Sequence, residues 1–443
     1  MMPQTSDLPP DQWPVWYDGK HINEILFCDE FLKEHPMRYI NGKLFTLDGP
    51  VESEELVRKQ IAEMMQCCVT SNISKRATAL LECLKLRAYS QPLPLKTDRI
   101  HVNNGICSPD RRFAPKMAFC NNRLPVDFNP NAPAPVRWLS FLRELLDESD
   151  IPCLQEYMGY CLIPSTKAQK MMVIIGKGGE GKSRIGLVLK ALLGDGMNTS
   201  SIQKVEKNRF ARADLEYRLL MVDDDMDMNA LPKTNYIKSI VTAEGKMDME
   251  KKGSQSYQSR LYVRFLCFSN GALSSLYDHS DGFYRRQLIL TVKDRPPDRK
   301  DDPFLIEKLI AEKEGIFLWC LAGLQRLIAN DYRFSISDRA AQTMESIRRS
   351  SDNILEFLAS SGGYIRFREG AESSSKDLYQ AYKQWCDDNA YHSFNANRLS
   401  SELAQNATRY HIEATNNIHL PNGKRVRGFK GIEVLTRIPP YYG

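Results

Sequence analysis

A chain of 443 residues is longer than a single hydrophobic core supports, because cores stop growing near roughly 250 to 300 residues, so several domains are expected. Apolar residues at 42% and charged residues at 26% match an ordinary globular protein and exclude wholesale disorder and fibrous repeats. The net charge of +5 is too small to announce a polyanionic partner by itself, but the excess is local: between Asn395 and Arg437 the cations Arg398, Arg409, Lys424, Arg425, Arg427, Lys430 and Arg437 are opposed only by Glu402, Glu413 and Glu433.

In chain order, the stretch up to about Asp48 scatters aromatics and prolines without a period and reads as a weakly specified lead-in. From Glu52 to about Tyr89 the apolar spacing is helical, with Ser53 as its cap. Strand-like and turn-rich sequence follows, and Pro130, Pro133 and Pro135 mark a linker before a second helical block that runs from Val136 to Leu162 and is ended by Pro164. Apolar strands then alternate with amphipathic helices, as an α/β sheet requires. Beyond about Tyr332, helical patterns at Ala340–Leu358 and Lys376–Asp388 and a basic hairpin signal at Asn422-Gly423 read as a separate small domain.

The chemistry is concentrated in the α/β region. The apolar run Met171–Ile175 leads directly into Gly176-Lys177-Gly178-Gly179-Glu180-Gly181-Lys182-Ser183, and Arg184 opens an apolar helix. Strand, GxxxxGKS and helix occur in the order of a P-loop. In such a loop glycines let backbone N–H groups approach phosphates, Lys182 reaches the β/γ-phosphates of ATP and the Ser183 hydroxyl ligates Mg²⁺. A second apolar run, Leu219–Val222, ends in Asp223-Asp224-Asp225. Carboxylates there suit metal binding and activation of the attacking water, and the reading assigns Asp223 to the metal and Asp224 to the water, with the reverse order open.

A third run, Arg260–Phe268, closes on Asn270, a polar group positioned to sense the γ-phosphate. The pair Arg285-Arg286 precedes a further strand; such arginines, offered across a subunit boundary, neutralise transition-state charge, and the choice between them stays open. Between these motifs, Tyr236–Gly245 reads as a helix stopped by glycine, and Lys246–Glu250 reads as a strand leading to a hairpin tip with Lys251 and Lys252, two charges able to hold the phosphates of a DNA strand.

Taken together, these motifs resemble those of superfamily 3 helicases of the phage/plasmid primase family, which is related to poxvirus-type helicase-primases. The resemblance implies an AAA+-like P-loop ATPase core (residues 166–330) with a helical collar before it (136–165), an N-terminal accessory region (1–135) and a C-terminal winged-helix, DNA-binding domain (331–443). It also implies ATP and Mg²⁺ as cofactors, a homo-hexamer moving on single-stranded or forked DNA during replication of a mobile element, and a separate primase or initiation partner. Lys252 matches the hairpin lysine of that family, and Arg286 matches the arginine finger better than Arg285. The N-terminal hundred residues are too few for a primase catalytic domain, so primase activity is not expected. A nucleotide-dependent DNA-binding or loader protein without unwinding activity is the alternative.

Eleven cysteines without a CxxC pair suit neither a zinc site nor a disulfide framework and point to a reduced, cytoplasmic setting. No apolar run approaches the roughly 18 residues of a membrane span, so no membrane partner is expected.

Overall fold

A computed structural model describes residues 12–226, 234–243, 245–250, 256–270, 281–351, 353–359, 363–389, 391, 393–419 and 423–435. The contacts divide the chain into two compact units, residues 1–273 with 285–340, and residues 274–284 with 341–443.

The first unit begins with structure where the sequence reading expected a lead-in. Asn23 accepts the Leu26 N–H at 3.1 Å and starts a helix over Glu24–Glu34. Phe27 and Phe31 from that helix bury against Trp16, Val57, Ile61, Leu80 and Leu84. The period was hidden because the helix is short and its aromatic partner Trp16 comes from an irregular segment. The helical stretch expected over residues 52–89 consists of two helices, Glu54–Met65 and Ile73–Arg87, the second preceded by Asn72, whose φ of 54° leaves the helical region. Residues 100–124 contribute a small four-stranded sheet. Its Ile100, Val102, Cys107 and Leu124 join the main core with Trp138 and Phe141 rather than the N-terminal cluster, so the region before residue 136 contributes to two cores.

The centre of the unit is a parallel five-stranded sheet: β1 (Met171–Ile175), β2 (Met197–Thr199), β3 (Leu220–Asp223), β4 (Arg264–Ser269) and β5 (Gln287–Thr291), in the order β5-β1-β4-β3-β2. Apart from β2 at the sheet's margin, these strands carry near-continuous apolar runs, because a parallel sheet is covered on both faces. Register places Ile175 level with Ser269 and Asp223 level with Cys267. The carboxyl ends of β1, β3 and β4 therefore share one edge, where ligands of open α/β sheets bind.

A helical layer backs the sheet. The expected block over residues 136–162 is two helices, Val136–Leu145 and Ile151–Tyr160, and the second packs on the distant helix Lys313–Ala329. Their backbones touch at glycines: a Cβ on Gly159 would lie 2.3 Å from the Cys320 carbonyl oxygen, and one on Gly323 would lie 2.4 Å from that of Gln155. The Tyr157 hydroxyl donates to the Phe265 carbonyl at 2.6 Å, tying this layer to β4.

The run Arg260–Phe268 is not one strand. Tyr257–Ser259 pairs antiparallel with Met247–Met249, which forms the expected hairpin stem, and β4 starts only at Arg264. The buried Arg264 guanidinium donates to the Leu219 carbonyl at 3.2 Å and the Tyr262 carbonyl at 3.0 Å, and lies 4.4 Å above the Tyr160 ring. These bonds anchor the start of the strand. The helix expected before the hairpin runs over Asn235–Thr242.

The second unit contains a helix (Asn353–Ala359), a strand (Ile365–Ser374), helices Ser375–Asp388 and Ala396–Gln405, a short turn of helix (Ala407–Tyr410), and a hairpin of Glu413–His419 with Arg425–Val434. The first strand pairs with the last, so the hairpin completes a three-stranded antiparallel sheet. Ile354, Phe357, Leu378, Tyr382, Trp385, Leu399, Phe429 and Ile432 form its own core. Among the described residues no helix is long and apolar enough to cross a membrane.

Candidate nucleotide-binding site

The loop between β1 and the helix Ser183–Leu193 is shaped by its glycines. Gly178, Gly179 and Gly181 have φ values of 110°, 79° and 103°, a region costly for any residue with a Cβ. Gly176 is needed for space, since a Cβ there would sit 2.5 Å from a γ-carbon of the buried Val292, as well as 2.8 Å from the Lys182 ammonium.

The loop closes on a negative charge of its own. One carboxylate oxygen of Glu180 accepts the backbone N–H of Lys177 and, at 2.8 Å, that of Gly178. The other accepts from the Lys182 ammonium at 2.9 Å, and both side chains are buried. Burial alone would raise the Glu180 pKa, but the Lys182 ammonium and the backbone donors outweigh it and hold the carboxyl below its usual value. The donors that a phosphate requires thus already converge on an anion, so the residues present fit a nucleotide phosphate.

Gly178 to Arg184 line a cleft of about 860 Å³ together with Asp224, Asp225 and Asn270. Asp224, Asp225, Asn270 and Ser183 are exposed. Asp223 points elsewhere: its carboxylate is buried and accepts the Ile202 N–H at 2.8 Å, at the start of the helix Ile202–Lys207. Burial pushes its pKa up, with the charges of Asp225 and Asp224 adding to the shift against the Ile202 and Asp225 N–H donors. Of the two aspartates singled out from the sequence, Asp224 is the one in the cleft. Among the described residues no group of three or more His, Cys, Asp or Glu side chains is arranged to hold a metal. A Mg²⁺ ion held by Ser183, Asp224 and nucleotide oxygens matches this donor set, since Mg²⁺ is commonly bound through one or two carboxylates plus substrate phosphates.

Arg285 and Arg286 stand at the opposite edge of the sheet, just before β5. Gln287 is level with Met171, the first residue of β1, so the pair is separated from its own glycine loop by the length of the strand, roughly 16 Å at about 3.3 Å per residue. Lys170 donates to the Arg285 carbonyl. Burial lowers the Lys170 pKa; Cys153 opposes that shift, and the charges of Arg285 and Arg286 add to it. Lys251 and Lys252 lie outside the described residues.

The sequence reading missed the segment after β5. Lys177 pairs with Asp294 at 2.8 Å, Arg295 with Asp301 at 3.0 Å, and Arg299 donates to the Glu180 carbonyl at 2.7 Å. Arg295 and Arg299 both line the cleft. The available signal was the charged, proline-broken run Asp294-Arg295-Pro296-Pro297-Asp298-Arg299, but its position depends on β5 lying beside β1, which spacing along the chain does not reveal.

The fold and site define a mixed α/β protein with a parallel sheet of the nucleotide-binding-like kind. Among solved structures, the chain is similar to the apo C-terminal region (305–718) of NrS-1, with 12% identity and a TM-score of 0.56 over 92% of this chain and 99% of that one. It is also similar to the A form of the apo C-terminal region, with 12% identity and a TM-score of 0.53 over 91% and 98%. At these identities the likeness concerns the fold. A family of unknown function, DUF5906, matches residues 174–286, from β1 through Arg286. No curated protein matches the sequence.

Proposed function

We propose that the chain is an ATP-driven helicase of the superfamily 3 kind, with an AAA+-like P-loop core, that translocates on single-stranded DNA as a ring. The observation that carries this reading is the convergence of Lys182, Ser183, Asp224 and Asn270 on one cleft at the carboxyl edge of the sheet. In this mechanism the loop N–H groups and Lys182 bind the β- and γ-phosphates once Glu180 is displaced. Ser183 and Asp224 hold Mg²⁺, which when bound neutralises charge on the phosphate oxygens. Asn270 orients the attacking water, and Asp223 keeps the end of β3 in place through Ile202. The distance of Arg285 and Arg286 from their own loop supports their action on a neighbouring subunit's nucleotide, and hence an oligomer. Lys251 and Lys252 hold DNA phosphates in this reading.

The helix–strand–helix–helix–hairpin order of the second unit supports a winged-helix DNA-binding module. Its Arg425 and Arg427 are exposed and are spaced to share a face of the strand. The test is ATP hydrolysis with and without single-stranded DNA, together with electron microscopy on forked DNA and an ATP analogue. DNA-stimulated hydrolysis and rings are expected; a monomer whose hydrolysis ignores DNA overturns the motor. The same exposed arginines favour, as a second reading, a nucleotide-dependent loader. Replacing both Arg425 and Arg427 by Ala abolishes all activity of a loader, whereas a motor retains unwinding of a preformed fork.

A further inference from the structure

The cations of the cleft and of the glycine loop are unequally matched. Lys182 faces Glu180 at 2.9 Å, Lys177 faces Asp294 at 2.8 Å and Arg295 faces Asp301 at 3.0 Å. Arg184 and Arg299, which line the cleft as well, have no carboxylate partner among the described residues; of the two, the Arg299 guanidinium is the one bonded to the loop, donating to the Glu180 carbonyl at 2.7 Å. A guanidinium carries five N–H donors, so most of its bonding capacity remains unspent. Its position is set by the backbone: the Arg299 N–H donates to the Pro296 carbonyl at 3.2 Å, closing a turn whose Pro296 and Pro297 have restricted φ. It lies close against the loop: a Cβ on Gly181 would be in van der Waals contact, at 3.4 Å, with one Arg299 terminal nitrogen.

A half-buried cation with unspent donors beside a phosphate-binding loop is a site for an anion, and the planar guanidinium fork suits phosphate oxygens. We infer that Arg299 grips the phosphate chain of the nucleotide from within the same chain, as a second cation beside Lys182. This rests on the nucleotide reading of the cleft and adds a phosphate-binding residue that the GxxxxGKS pattern does not contain. It also separates two arginine functions: Arg299 serves its own loop, while Arg285 and Arg286 are remote from it.

The test is titration of the full-length wild type, Arg299→Gln, Arg299→Lys and Lys182→Ala with a fluorescent ADP, paired with melting temperatures and steady-state ATP hydrolysis. Gln keeps a donor for the Glu180 carbonyl and removes the charge. The expected result is at least a tenfold weaker Kd for ADP and a comparable rise in KM for Arg299→Gln, a much smaller change in kcat, an unaltered melting temperature without nucleotide, and partial recovery in Arg299→Lys. Wild-type affinity in Arg299→Gln, or a loss matched by a fall in melting temperature and unrescued by Lys, overturns the inference while leaving nucleotide binding intact. Failure of the wild type itself to bind ADP overturns the cleft reading and the inference together.

Discussion

The two edges of the parallel sheet are formed by the same strands but differ in charge chemistry. At the carboxyl edge a glycine loop folds around its own carboxylate, and Lys177, Lys182 and Arg295 each face an acid. At the amino edge Lys170, Arg285 and Arg286 gather like charge, and burial lowers the Lys170 pKa with a smaller addition from the two arginines. A loop whose lysines are already paired with carboxylates is preorganised and exchanges one anion for another. A concentration of like charge attracts an anion delivered from outside the chain.

Four experiments bear on this contrast. The largest effect is expected from Lys182→Ala, which should reduce ATP hydrolysis to background, a loss of at least about 100-fold; retained hydrolysis would break the case for the carboxyl edge. Arg286→Ala should lower kcat by roughly 1000-fold while ADP affinity is kept. Mixing it with Lys182→Ala should restore part of the activity, because an intact loop then meets an intact arginine across a boundary. Absence of recovery would mean that the amino edge does not act between subunits.

Glu180→Gln should bind ADP severalfold more tightly at neutral pH, since phosphate no longer competes with a carboxylate. The folded Glu180 pKa lies below its ordinary value of 4.5. Its pairing with Lys182 is therefore fully present above pH 4.5 and is lost as pH falls through the lower folded value. Fluorescence titration at pH 7 and at successively lower pH should show the advantage of Gln shrinking once the pH falls through the folded value, below 4.5. The smallest effect is expected from Asp223→Asn. The folded Asp223 pKa is raised above 3.8, so the native state binds a proton more readily than the unfolded chain, and stability falls as pH rises through that window. Asn keeps the acceptor for Ile202 without the buried charge, and a gain on the order of 1 kcal/mol in unfolding free energy at pH 7 is expected, vanishing toward pH 3.8. A loss at pH 7 would show that the charge is held by a partner rather than tolerated.

Much of the sheet was legible because strands buried on both faces are apolar runs, and Met171–Ile175, Leu219–Val222 and Phe265–Phe268 all stand out. The N-terminal helix Glu24–Glu34 was not, because its buried face is completed by Trp16 and by helices far along the chain. The break before Arg264 was equally hidden: a buried arginine that bonds to carbonyls and lies over Tyr160 looks, in sequence, like a charge inside a strand.

What the sequence determined by itself is local chemistry. Spacing alone identifies the loop Gly176–Ser183, the acids after β3 and the asparagine after β4, because each depends on residues adjacent in the chain. Only the tertiary structure decided which of these groups meet. It turned Asp223 toward Ile202 and left Asp224 in the cleft, folded Glu180 onto Lys182, and brought Arg299 to the loop by pairing β5 beside β1. Sheet order rests on the packing of both faces over the whole chain, and no local pattern encodes that.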